Sequence, residues 1–231
     1  MPVLIKLCGM TRAEDIEKAA DLGANFFGVV VEVPWSKRSC TVQQTADLFH
    51  GARRLGFPGA ALFCKHERDF VLSASEQIKP FAIQLQGNES PEFVADLTQR
   101  TSAQIWKAVH LSADNDASDD PESVRSRCQA YQDAGASVII LDSMIKKADA
   151  VHYGGTGQVG DWSVARKIRE AFKGVLFLAG GLNPDNIAEA IAAVQPDGVD
   201  LASGIESSPG IKDLSKMEQL VANVHRMIAV G

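Results

Sequence analysis

Cysteine, histidine, aromatic residues and net charge are all scarce in this chain, and most of these shortages remove a class of function. Four cysteines stand among 231 residues, at positions 8, 40, 64 and 128, with no repeating spacing. A disulfide-built secreted scaffold is excluded, and the thiols read as free in a reducing cytoplasm. Five histidines are scattered along the chain, and the one close trio, Cys64-Lys65-His66, has too few ligands for a metal site, so no metal is assigned. Lys and Arg total 23 against 29 Asp and Glu, a net charge of −6. Without a basic excess to drive counterion release, neither a nucleic acid nor an anionic membrane is expected as a partner. No apolar run approaches the roughly 20 residues that span a bilayer. MPVLIKLCG shows no charged leader or cleavage pattern and reads directly as a strand.

What is present is alternation. Short apolar, β-branched runs take turns with amphipathic stretches from one end to the other. Strands are expected at 3–8, 25–33, 59–64, 81–85, 103–111, 137–142, 174–180 and 198–204. Helices are expected at 12–22, from about 41, at 67–78, from Ser90 with Pro91 in the first helical position, up to about 134, from about Trp162, across NPDNIAEAIAAV, and near 213–228. The segment between Asp142 and Asp161 reads as a long loop. Near-continuous apolar strands separated by helices imply a parallel sheet buried on both faces. An open doubly wound sheet shares this pattern. Eight units in 231 residues fit better a closed (β/α)8 TIM barrel of about 250 residues, forming a single domain over 1–231.

In such a barrel the chemistry gathers at the C-terminal ends of the strands. Cys8 ends the first strand, in KLCGMTR, and is either a packing thiol or a reactive one. Asp142 ends the sixth, where a purely structural residue would be apolar; a turn or cap role is the alternative. Arg38, in PWSKRSC, offers a planar cation suited to a carboxylate. Three glycine corners follow the last three strands: GGTG at 154–157, AGG at 179–181 and ASG at 202–204. Converging backbone N–H groups there favour a phosphorylated small molecule.

KLCGMTR, SKR at 36–38, LD at 141–142, GGTG followed by DW, LAGGLNPDN and VDLASGIESSPGIKD together resemble the phosphoribosylanthranilate isomerase family of tryptophan biosynthesis, over essentially the whole chain. The resemblance implies an Amadori rearrangement that needs no cofactor. It makes Asp142 the general acid that opens the furanose ring and Cys8 the general base that takes the C2 proton. It sets Arg38 against the anthranilate moiety, and Gly155, Thr156, Gly157, Gly180, Gly181, Ser203 and Gly204 around the phosphate. That chemistry asks for a raised Asp142 pKa and for a Cys8 thiolate favoured by a nearby cation or a helix N-terminus.

Independently, Lys6 shares the inward face of strand one with Cys8, and a buried ammonium needs a partner. Asp200, the only acid in the adjoining last strand, is the expected one. The pattern departs from the family at Glu32, at Cys64 in ALFCKHE and at Gln86, where QLQG stands for the usual QLHG. All three belong to the side expected to face the anthranilate ring. Two other readings stay open: a paralogous sugar-phosphate isomerase with a different amine or sugar, and a non-catalytic phospho-ligand module. Oligomeric state is not legible. The acidic run 113–123 reads as a solvated loop.

Overall fold

The computed structural model describes residues 2–112, 120–147, 150–152 and 162–229. Eight strands form the barrel: β1 Leu4–Leu7, β2 Phe26–Val31, β3 Gly59–Phe63, β4 Ala82–Leu85, β5 Gln104–Ser112, β6 Ala136–Lys147, β7 Leu176–Ala179 and β8 Gly198–Leu201. They are parallel, each pairs with its sequence neighbour, and β1 pairs with both β8 and β2, which closes the ring. The helices are α1 Ala13–Asp21, α2 Val42–Arg54, α3 Arg68–Ile78, α4 Pro91–Arg100, α5 Pro121–Asp133, α6 Trp162–Ala171, α7 Ile187–Val194 and α8 Leu214–Ala229.

Local chemistry starts several of these helices. Thr41 and Gln44 form a reciprocal capping box on α2, and Ser90 caps α4 ahead of Pro91. Helix α7 begins later than expected. The Asn183 side chain accepts from the backbone N–H groups of Asp185 and Asn186, which closes a turn before the helix starts at Ile187.

Alternate strand residues face opposite ways. Ile5, Leu7, Ile139, Leu141, Val199 and Leu201 face outward and pack in the core between sheet and helices. A smaller interior cluster has an aromatic floor, with Phe26 edge-on to Trp106 at 5.0 Å and Trp106 tilted on Phe177 at 5.7 Å. Above that floor the inward positions become polar: Lys6, Gln84, Asp142 and Asp200, all buried.

The expected loop after Asp142 is in part strand. β6 continues to Lys147, still paired with β5 through Ser112, and then pairs antiparallel with the short strand Ala150–His152. The two strands support each other beyond the barrel rim, a pairing invisible to a local reading of either one.

Candidate active site

β1 carries Lys6 and Cys8 into the barrel and β8 carries Asp200 beside them, in register with Lys6. Lys6 Nζ donates to Asp200 Oδ2 at 2.7 Å, with both groups buried, so the anticipated ion pair is present. Burial works against the ammonium, but Asp200 and then Cys8 outweigh it and hold the Lys6 pKa above its usual value. Room for this group comes from Gly28 on β2: a Cβ there would lie 2.7 Å from Cys8 Sγ and 3.2 Å from Lys6 Cε. The expected cation beside Cys8 is therefore in place. Even so, the Cys8 pKa is raised, because burial outweighs the opposing charges of Lys6 and Lys212.

Asp142, at the level of the barrel mouth on β6, is pushed up to about 7, first by burial and then by the charge of Asp200. Gln86 and Lys6 act the other way. Gln86 Nε2 donates to Asp142 Oδ2 at 2.7 Å, and Gln86 Oε1 accepts from Gln84 Nε2 at 2.8 Å. His110 on β5 approaches the same carboxyl oxygen, with Nδ1 at 3.8 Å. Burial pushes its pKa down to about 4, so the ring is neutral at pH 7. Its Nε2 faces the Gln86 carbonyl oxygen at 2.8 Å and so carries the hydrogen. Lys107 has the opposite parity: it leaves the interior and bonds the carbonyls of Leu85 and Gly87 and the carboxylate of Glu89, securing the loop that bears Gln86.

Arg38 lies across the turn after β1, against Gly9 (φ 72°), where any Cβ would meet its Cδ at 2.7 Å. Its guanidinium is already engaged: Nε and Nη2 grip Glu206 at 2.9 and 2.7 Å. Glu206 also accepts from Lys212 Nζ at 3.0 Å, and Lys212 donates to the Cys8 carbonyl at 2.5 Å. Burial would raise the Glu206 pKa, but the two cations hold it below the usual range. Arg38 thus presents only its remaining edge to a ligand; among the described residues Nη1 makes no hydrogen bond. Glu206 and Lys212 are residues to which the sequence reading gave no role, although their signal lies in IESSPGIKD.

A cavity of about 500 Å³ opens at this end of the barrel, lined by Cys8, Arg38, Gln86, Asp142, Gly181 and Ser203 among others. Gly180 and Gly181 take successive left-handed φ values of 88° and 66°. Gly204 packs against the residues that follow them, where a Cβ would fall 1.9 Å from the Leu182 carbonyl oxygen and 2.9 Å from Asn183 Cβ. Two of the glycine corners are thereby joined. Gly155, Thr156 and Gly157 lie outside the described residues, as does 113–119. Cys64 lines the cavity with Gln86. Glu32 does not, contrary to expectation: it follows β2 with φ 48°, and its carboxylate turns away to accept from the Val42 N–H at the start of α2.

A closed (β/α)8 barrel with a thiol, a high-pKa carboxyl and a buried ion pair at one cavity defines a barrel protein equipped for acid–base chemistry. Residues 5–223 match the family described as N-(5'phosphoribosyl)anthranilate (PRA) isomerase, and the chain belongs to that family. It is 34% identical to the tryptophan biosynthesis protein TrpCF of Haemophilus influenzae over 95% of its own length, and spans 42% of that longer protein. It is 32% identical to the N-(5'-phosphoribosyl)anthranilate isomerase of Natronomonas pharaonis, covering 94% of this chain and 95% of the relative. A solved phosphoribosyl anthranilate isomerase in complex with reduced 1-(o-carboxyphenylamino)-1-deoxyribulose 5-phosphate superposes with a TM-score of 0.78 at 28% identity, covering 97% of this chain and 99% of that one. No helix among the described residues is long and apolar enough to cross a membrane.

Proposed function

We propose that this chain is the isomerase that converts N-(5-phosphoribosyl)anthranilate to 1-(2-carboxyphenylamino)-1-deoxyribulose 5-phosphate, a step of tryptophan biosynthesis, in the cytoplasm. The observation that carries the reading is the pairing of Cys8 with Asp142 across one cavity, the carboxyl having a pKa of about 7 that suits proton donation near neutrality. Asp142 protonates the furanose ring oxygen. The bond from that oxygen to C1 breaks as the nitrogen lone pair forms the C1 iminium. Cys8 as thiolate takes the C2 proton, the C–H electrons form a C1–C2 double bond, and the iminium returns to an amine. The resulting enolamine tautomerises to the ketone.

The Gly180-Gly181 and Ser203-Gly204 corners hold the phosphate, with Gly155, Thr156 and Gly157 completing the grip. The outer edge of Arg38, backed by Glu206, engages the anthranilate carboxylate. The ligand of the solved relative, a reduced form of the same product, supports this substrate class.

The test is an assay with phosphoribosylanthranilate, following loss of its anthranilate-type fluorescence. Wild type turns over, while Cys8→Ala and Asp142→Asn each lose about 10²- to 10⁴-fold in kcat, the usual worth of a general acid or base. Full activity in either variant overturns its assignment. No turnover by wild type points instead to a paralogue with another amine or sugar, or to a binding module.

A further inference from the structure

An amide has a donor end and an acceptor end, whereas a carboxylate only accepts. Gln86 stands between Gln84 and Asp142, and its two hydrogen bonds run in one direction, from Gln84 Nε2 to Gln86 Oε1 and from Gln86 Nε2 to Asp142 Oδ2. Gln84 is 1% exposed, sits in register between Leu62 and Trp106, and leaves its own Oε1 without a hydrogen-bond partner among the described residues. Turning both amides round would bury an unmet NH2 there instead of an unmet carbonyl. Orphaned buried N–H groups are the rarer of the two, so the pair is biased to the direction seen.

With a Gln86 N–H held on it, Oδ2 is kept as an acceptor in both states of the carboxyl. Asp142 lines the cavity, and among the described residues its Oδ1 takes no hydrogen bond. From this geometry we propose that Gln86, oriented by Gln84, is a positioning residue that places the acid proton of Asp142 on Oδ1. The proposal rests on Asp142 being the general acid. Its consequence is that the oxygen open to the substrate is the one that carries the proton.

Among the described residues, no other side chain hydrogen-bonds either oxygen of Asp142. Lys6 from β1 and Asp200 from β8 act on the charge of the carboxyl as a whole, with the Cys8 thiol beside them. His110 from β5, its ring neutral at pH 7, is 3.8 Å from Oδ2, beyond hydrogen-bonding range.

Infrared difference titration tests this without substrate, using Asp142→Asn as the blank. When Asp142 is protonated on Oδ1, its C=O is the Oδ2 bonded by Gln86. In Gln86→Met the C=O band of protonated Asp142 therefore moves to higher wavenumber, and the proton binds roughly tenfold more tightly because a donor to the charged form is lost. Gln84→Met, which frees Gln86 to rotate, moves both readouts the same way by a smaller amount and supplies a second test should Gln86→Met fold poorly. An unmoved C=O band in both variants overturns the proposal, since the proton would then sit on Oδ2. The acid assignment itself fails separately, through retained turnover in Asp142→Asn.

Discussion

Burial acts on Cys8 and Asp142 in the same direction, because the charged form of each is an anion. Asp142 reaches about 7, while Cys8 starts from an ordinary 9.0 and goes higher still. The form that the proposed mechanism uses, carboxylic acid with thiolate, is therefore the minor arrangement of the pair. Below pH 7 the acid is intact and each rise in pH supplies more thiolate, so kcat/KM climbs. Between pH 7 and the Cys8 pKa, loss of the acid proton cancels the gain in thiolate and the profile is level. Above the Cys8 pKa the profile falls. A kcat/KM series into alkaline solution, with thiol alkylation rates locating Cys8, checks this order; a decline that begins at pH 7 would mean that Cys8 titrates below Asp142. Asp142 and the Lys6–Asp200 pair were legible in sequence because a polar residue at an inward strand position stands out. Glu32 was misread because the resemblance set it by its place in the sequence, whereas its left-handed backbone just past β2 leaves the carboxylate on the Val42 N–H.

At the scale of elements, each strand delivers one or two side chains to the mouth, and its neighbours must leave room for them. Gly28 on β2 meets this constraint beside the cavity, since a methyl group there presses on Cys8 Sγ at 2.7 Å. Gly28→Ala is expected to lower kcat by roughly a hundredfold, the order of loss for a misplaced catalytic group. KM and the melting temperature change little, and steady-state kinetics with a thermal melt separate the two effects. Equal losses in stability and kcat would assign Gly28 to folding alone. The helix starts at Thr41 and Ser90 were readable because capping is local chemistry. The extension of β6 past Asp142 was not, since it is completed by β5 and by the short strand Ala150–His152.

Across the whole molecule, the Lys6–Asp200 pair joins residues 194 apart, where the first and last strands close the barrel. Lys6→Met leaves Asp200 buried without its cation and should cost about 3–5 kcal/mol in urea unfolding. Adding Asp200→Asn should restore most of that loss, because no uncompensated charge remains; simple additivity of the two losses would mean that the pair is uncoupled. The same closure carries Lys212 back to the Cys8 carbonyl and Glu206 to Arg38, so the last loop braces the first two.

Taken by itself, the amino-acid sequence determined the eight-unit barrel, the thiol and carboxyl at the C-terminal end of its strands, and the Lys6–Asp200 pair. All of these follow from periodicity and from the rule that a buried charge needs a partner. Only the tertiary structure decided that Arg38 is clamped by Glu206, that Glu32 turns away from the cavity, and that Gln84 and Gln86 form a directed chain into Asp142. Those outcomes depend on distances between side chains from different strands, and on burial, which sets proton affinity and is a property of the folded whole.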